Sequence, residues 1–313
     1  MNRNEKSFTE LPQCVKSRIE KIRSNSTDGA LKLARQAAES LTFLVDNITV
    51  SSASEFTEVI KQTAKELVNA QPTMAPIFNL TNGVLLDIDK LDDEEKIKQT
   101  VRNRCQQFID QLESSTQSIG ELAADLLEDD SVIIVHSYSN TVLQALLSAN
   151  EIGKSFHVIC TESRPMNEGL NLAEKLGKQG IKTTLVVDSA IFSFLSEAEL
   201  IFVGADALSQ HGLVNKIGTL GLALAAEKLG VDLYTLCSSE KIFPANYRFK
   251  PEKQKNPAEV STRSFGNVDI MNYYFDLTPL DYLTGIITED RIDSPDKIKQ
   301  RIRSLRVHEV LSD

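Results

Sequence analysis

The sequence lacks the signatures of the commonest nucleotide, metal and ester chemistries. No G-x-G-x-x-G follows its first strand-like run and no G-x-x-x-x-G-K-[ST] occurs anywhere. A dinucleotide-dependent dehydrogenase and a P-loop enzyme, which cradle phosphates on such loops, are therefore disfavoured. H-E-x-x-H and C-x-x-C are also absent, and His136, His157, His211 and His308 are scattered along the chain. No catalytic metal and no cofactor are expected. Ser137 carries no G-x-S-x-G elbow, which argues against an α/β-hydrolase.

Cysteine is sparse and widely spaced: Cys14, Cys105, Cys160 and Cys237. The last two fall in strand-like runs, where a free thiol behaves as a small hydrophobe. They read as reduced thiols of a cytoplasmic protein, not as a disulfide framework. The N-terminus has no apolar signal-like core and no run approaches membrane-spanning length, so no membrane association is expected. Positive charge is in short supply, with 34 Lys and Arg against 44 Asp and Glu and a formal net charge of −10. Direct nucleic-acid binding is not expected as a main role. The basic run Lys297, Lys299, Arg301, Arg303, Arg306 lies on the last predicted helix and reads as a solvated face or a complement to that helix's dipole.

What is present has two textures. At 313 residues the chain is long enough for two cores. From Pro12 to about Leu127 the pattern is helical. Ser26-Thr27-Asp28 offers N-caps for a helix with Ala30, Leu33, Ala34, Ala37, Ala38 and Leu41 on one stripe. Glu55 to Val68 and Leu91 to Leu127 are further helical stretches, and Gln71 to Pro76 interrupts the pattern with two prolines. The acidic turn Glu128-Asp129-Asp130 marks the expected boundary, dividing a helical domain, 1–130, from an α/β domain, 131–313.

Beyond it, short apolar runs alternate with helical segments. Val132 to Val135 ends in His136-Ser137-Tyr138-Ser139, and Val158 to Cys160 ends in Thr161-Glu162-Ser163-Arg164-Pro165. Thr184 to Val187 ends in Asp188-Ser189, Ile201 to Val203 in Gly204-Ala205-Asp206, and Leu233 to Cys237 in Ser238-Ser239-Glu240. Thr141 to Ala149, Leu170 to Gln179, Ile191 to Glu197 and Leu220 to Leu229 have helical period. Nearly all-apolar strands alternating with helices predict a Rossmann-like parallel sheet flanked by helices. Ligands gather beyond the carboxyl ends of such strands, which is where the polar residues concentrate. Asp206, with Asn215-Lys216 ahead of a helix opened by Gly218 and Thr219, can handle a polyol and its phosphate in one pocket. The plainer readings stand beside this one. Asp206 caps a turn, Lys216 is solvated, His136 binds a loop carbonyl, Tyr138 is a rim aromatic, Glu162 and Arg164 pair with each other, and Asp188 caps a helix at Ser189.

His136-Ser137-Tyr138-Ser139, Glu162-Ser163-Arg164-Pro165 with Glu168-Gly169, Gly204-Ala205-Asp206, Asn215-Lys216-Ile217-Gly218-Thr219 and Phe275-Asp276-Leu277-Thr278-Pro279 occur in this order. Together they make the chain, from about Ile22 to Ile298, resemble the translation initiation factor 2B alpha/beta/delta family. That superfamily also holds methylthioribose-1-phosphate isomerase and ribose-1,5-bisphosphate isomerase, which convert an aldose 1-phosphate to a ketose phosphate.

The resemblance implies a sugar-phosphate or nucleotide pocket lined by His136, Tyr138, Ser139, Glu162, Arg164, Asp206, Asn215, Lys216 and Gly29. It also implies a homodimer or higher homo-oligomer through the C-terminal domain, with Phe275 to Pro279 suited to an isologous contact, and sister initiation-factor subunits as further partners. The isomerase aspartate corresponds to Asp206, but the isomerase cysteine corresponds to Ser137, a far weaker acid with no adjacent base in sequence. Two phosphate-binding arginines are replaced as well: the Arg-Gly-Ala turn corresponds to Asp28-Gly29-Ala30 and an Arg-Pro pair to Met74-Ala75, with Arg23 as a candidate displaced cation. These departures favour a regulatory protein of the initiation-factor type that binds the ligand without the thiol chemistry. The alternative is a divergent sugar-phosphate isomerase in which Asp206 carries the proton transfer and Ser137 is tolerated.

Overall fold

The computed structural model describes residues 11–25, 30–245, 247 and 252–312. The cap residues Ser26, Thr27 and Asp28, together with Gly29, lie outside them. The described chain forms two compact units that interleave in sequence. One holds the residues up to Leu112, Tyr247 and the tail from Arg306; the other holds 113–245 and the segment from 252 to Leu305.

The first unit is built from α1 (Gln13–Ser24), α2 (Ala30–Asn47), α3 (Ala53–Ala70), α4 (Ala75–Leu85) and the first part of α5 (Glu94–Ala124). Of the predicted stripe, Leu33, Ala34, Ala37, Ala38 and Leu41 are buried and Ala30, at the start of α2, is half-buried; Phe56, Ile60 and Leu67 of α3 and Ile77 and Phe78 of α4 are buried too. Complete burial of each Leu, Ile or Phe is worth about 1.5–3 kcal/mol. Ser52 caps α3 by accepting from the Glu55 N–H, while the Glu55 carboxylate accepts from the Ser51 N–H at 2.8 Å. The two prolines fall at the α3–α4 break, and Pro76 sits in the first turn of α4, where a missing N–H costs nothing. The tail returns to this unit: Asn82 donates to the Arg306 carbonyl and accepts from the His308 N–H, each at 2.8 Å. No described helix is long and apolar enough to cross a membrane.

The second unit runs β1 (Ser131–His136), α6 (Asn140–Glu151), β2 (Phe156–Thr161), α7 (Glu168–Lys178), β3 (Lys182–Val186), β4 (Leu200–Val203), β5 (Ala207–Ser209), β6 (Gly212–Lys216), α8 (Thr219–Leu229), β7 (Asp232–Leu236), β8 (Phe275–Thr278), β9 (Gly285–Ile287), β10 (Ile292–Asp293) and α9 (Pro295–Ser304). The main sheet has the order β10-β9-β7-β4-β1-β2-β3 and is parallel except for β10. Alternate strand residues face opposite cores. Ile133, Val135, Val158, Cys160 and Phe202 pack with α6, α7 and the end of α5, while Ile134, Ile159, Ile201, Val203 and Leu233 pack with α8 and α9. This two-faced burial explains why the strands read as unbroken apolar runs. It is the expected parallel sheet flanked by helices.

Two local expectations are corrected. Ile191 to Glu197 forms two 3-10 turns, Asp188–Ser193 and Leu195–Glu197, rather than a regular helix. Asp188 caps no helix; its carboxylate accepts instead from the Ser163 and Arg164 N–H groups at 2.7 and 2.8 Å. Asn215 and Lys216, ahead of α8 as expected, belong to β6, the middle strand of an antiparallel sheet β5-β6-β8, where Asn215 pairs with Asp276.

Candidate functional site

The order in which strands are added to the sheet reverses between β1 and β4. From β1 the connections run outward through β2 to β3, and the chain then returns to add β4 on the other side of β1. In a doubly wound sheet, the carboxyl ends of the two strands flanking such a switch point form the ligand crevice. Here β1 ends at His136, which pairs with Val203 at the end of β4. Ser137 follows the first strand and Gly204-Ala205-Asp206 the second, so Ser137 and Asp206 share one edge. The packing there is tight, because a Cβ on Gly204 would meet Ser139 Cβ and Oγ at 2.7 Å.

Asp206 is held by its backbone, whose N–H donates to the Val214 carbonyl at 2.9 Å. Its side chain is exposed at the edge and makes no hydrogen bond or ion pair among the described residues. Dense protein around it nonetheless pushes the carboxyl pKa up, opposed by Lys241 and Lys216 and reinforced by Glu168 and Glu252. A carboxyl so placed can carry a proton at higher pH than an ordinary aspartate. Ser137 is held at φ 71°, a left-handed backbone that non-glycine residues seldom adopt. It is only 7 % exposed, and its hydroxyl has no partner among the described residues.

His136 is committed to the fold. Nε2 lies 2.9 Å from the Ile217 carbonyl and must donate to it, so Nδ1, 2.8 Å from Thr161 Oγ1, accepts from that hydroxyl. Thr161 Oγ1 in turn lies 2.8 Å from Ser163 Oγ. Burial lowers the His136 pKa, favouring this neutral tautomer. Gly218, at φ 106°, lies against the ring, where a Cβ would come within 3.0 Å of Nε2.

The sequence reading gave the start of α8 to a phosphate, but the chain's own Asp276 occupies it. Its carboxylate accepts from the Gly218 N–H at 2.7 Å and the Leu220 N–H at 3.2 Å. Asn215 donates to Thr219 Oγ1 at 3.0 Å. Lys216, 4 % exposed, is paired with Glu168 at 2.5 Å and lies 5.0 and 5.6 Å from the ring centroids of Tyr274 and Phe275. Glu168 opens α7, and the adjacent Gly169 cannot carry a side chain because a Cβ would fall 1.8 Å from the Thr161 carbonyl oxygen.

The remaining candidates are spread around this edge. Ser139 caps α6 by accepting from the Val142 N–H. Tyr138 turns to α7, where Lys175 Nζ donates to its hydroxyl at 2.6 Å. Glu162 extends the β2–β3 pairing through its N–H to the Val186 carbonyl. Arg164 makes no ion pair with Glu162 among the described residues; its guanidinium donates to the Val260 carbonyl at 3.2 Å and the Glu259 carbonyl at 3.5 Å. Gly29 lies outside the described residues. Arg23, the candidate displaced cation, pairs with Glu66 at 3.0 Å and Glu20 at 3.5 Å.

Glu168, Asp276 and Lys241 were not singled out as site residues from sequence. Lys241 follows β7, at a strand end of the kind that singled out Asp206, and donates to the Ala205 carbonyl at 2.7 Å beside it. Asp276 and Glu168 lie inside quoted motifs, but their partners are 58 and 48 residues away. No buried thiol substitutes for the cysteine missing at Ser137. Burial pushes Cys105 and Cys237 up to about 12 and Cys160 to about 11, far above the range of a reactive thiolate.

This fold and edge define a class of doubly wound α/β proteins with an attached helical unit and a carboxyl group at the switch point. The sequence pattern of the Initiation factor 2 subunit family matches residues 26–290, and the chain belongs to that family. It is 34 % identical to the ribose 1,5-bisphosphate isomerase of Archaeoglobus fulgidus over 86 % of each chain. It is 32 % identical to that of Methanocaldococcus jannaschii, over 88 % of this chain and 90 % of the relative. A crystal structure of the Pyrococcus horikoshii OT3 translation initiation factor eIF-2B superposes with a TM-score of 0.75 at 31 % identity, covering 93 % of this chain and all of that one. The 5-methylthioribose 1-phosphate isomerase of the same organism shares the fold, with a TM-score of 0.68 at 22 % identity over 92 % of this chain and 86 % of its own.

Proposed function

We propose that the protein is a sugar-phosphate aldose–ketose isomerase in which Asp206 is the proton-transfer group and Ser137 lines the pocket without acting as a nucleophile. This reverses the preference drawn from the sequence departures alone. The relatives named as isomerases align over most of both chains, and the unpartnered Asp206 carboxyl at the switch point, its pKa raised by its surroundings, carries the reading.

The chemistry balances without a thiol. Protonated Asp206 gives its proton to the ring oxygen of an aldose 1-phosphate as the C1–O bond breaks, leaving an oxocarbenium at C1. A hydride then moves from C2 to C1, and the C2 hydroxyl proton returns to the Asp206 carboxylate as the ketone forms. One carboxyl whose pKa is raised toward the working pH suits both transfers. Lys241, on the Ala205 carbonyl, and Lys216 supply positive charge nearby.

The decisive experiment is turnover of ribose 1,5-bisphosphate and methylthioribose 1-phosphate by the wild-type protein and by Asp206→Asn. An ordinary rate, on the order of 1 per second or faster, lost in the variant, supports the isomerase. A second reading, a regulatory sensor of a phosphorylated sugar or nucleotide within an initiation-factor-like homo-oligomer or hetero-oligomer, is favoured by one observation: the Ser137 hydroxyl has no base beside it, since both His136 nitrogens are engaged. Ligand-induced stabilisation with no turnover would establish that reading instead.

A further inference from the structure

Lys216, the cation expected from the sequence to meet a phosphate, is paired with Glu168. Lys216 is almost fully buried, with Glu168 Oε1 at 2.5 Å and two aromatic rings within 6 Å. The glutamate is more open: a quarter of its side-chain surface is exposed, and its second carboxylate oxygen, Oε2, is buried without a hydrogen-bond partner. The lysine is therefore occupied by an anion that is half satisfied, partly exposed and tethered in place.

We propose that Glu168 sets the affinity threshold for anions at this site, acting as an internal competitor that a phosphate dianion displaces from Lys216 and a singly charged carboxylate does not. This inference rests on reading the edge as a sugar-phosphate site and names the residue that gates it. A free carboxylate ligand offers Lys216 the same charge and geometry as Glu168 and must outcompete a group held at high effective concentration. A phosphate dianion brings twice the charge and more acceptor oxygens, so it forms stronger charge-assisted hydrogen bonds. Glu168 has somewhere to go when displaced. It lies in the first turn of α7, where the helix dipole favours a carboxylate whether or not Lys216 is its partner. Competition lowers the apparent affinity of every anion by the same factor, the fraction of time the lysine is free, so a weak, singly charged ligand falls below the concentrations at which it would bind while a dianion stays above them.

The test uses the full-length protein, with inorganic phosphate and acetate as probes followed by calorimetry and melting temperature. Glu168→Gln keeps the shape and removes the competitor. Phosphate should then bind roughly tenfold more tightly, a change of one decade in Kd, acetate should become a measurable ligand, and added phosphate should raise the melting temperature far more than in wild type. The double variant Lys216→Met with Glu168→Gln should bind neither anion. Glu168→Asp, a shorter carboxylate, should shift phosphate affinity the same way as Glu168→Gln by a smaller factor, and it stands in if the glutamine variant is too unstable to titrate. A phosphate Kd in Glu168→Gln, or in its stand-in, that matches wild type overturns the proposal. So does a double variant that still binds phosphate as the single one does. Failure of wild type to bind ribose 1,5-bisphosphate would instead strike at the sugar-phosphate reading, and the inorganic-anion arms separate the two.

Discussion

His136, Lys216 and Asp276 each commit polar atoms to another part of the chain, whereas the side chains of Asp206 and Ser137, on the same sheet edge, have no partner among the described residues. The first group ties segments that are far apart in sequence: β1 to the loop after β6, β8 to the start of α8, and β6 to α7. The second group is positioned by backbone alone, through a parallel register and a left-handed residue. A fold that leaves a crowded carboxyl and a buried hydroxyl without internal partners gives up stability there, and polar groups left in that state mark a place where a ligand is expected to complete the bonding. Identity of residue type does not separate the two groups. Lys216 and Asp206 looked equally functional in sequence, and only their partners distinguish them.

That contrast can be broken most decisively at Asp206. Asp206→Asn should lower isomerase turnover by a factor of about 1,000 or more, as expected for loss of the sole acid–base group; a variant that keeps wild-type kcat would remove Asp206 from the chemistry. His136→Ala should leave the Ile217 carbonyl and the Thr161 hydroxyl without their partner and cost about 3 kcal/mol of stability, read as a shift in the urea midpoint. Asp276→Ala should uncap α8 and cost about 1–2 kcal/mol, with any loss of turnover tracking unfolding rather than an altered KM.

Titration should separate His136 from Asp206 by sign. The pKa of His136 is lowered in the fold, so its neutral form stabilises the native state above its ordinary value of about 6.5, and that stability is lost as pH falls below it. A Tm profile between pH 7 and 5 should therefore fall more steeply in wild type than in His136→Gln. The pKa of Asp206 is raised, so the stability it supports is complete below the ordinary carboxylate range and is lost as pH rises. Asp206→Asn should consequently melt slightly higher than wild type at pH 7 while it loses activity. The smallest effect belongs to Ser137→Ala, which should change stability by no more than about 0.5 kcal/mol and turnover by less than roughly tenfold. A loss as large as that of Asp206→Asn would show that the hydroxyl takes part in proton transfer.

The sequence by itself determined the layered α/β plan, because a sheet buried on both faces requires unbroken apolar runs and the helices between them keep their own period. It also determined which strand ends carry polar residues, and so the edge on which Asp206 and Ser137 would lie. The helical unit was legible for the same reason, down to the break at Gln71 to Pro76. What the tertiary structure decided is how those polar groups are spent. Asp276 reaches the start of α8 only because β8 pairs with β6. Glu168 meets Lys216 across 48 residues, and Asp188 serves the turn at Ser163 and Arg164 rather than a helix of its own. The tail from Arg306 returns to the helical unit through Asn82, 224 and 226 positions from its two partners. Hydrophobic period is a local property and is written along the chain. The pairing of a buried charge depends on which distant segment the packing brings within hydrogen-bonding distance, and no spacing between neighbours in the sequence encodes that.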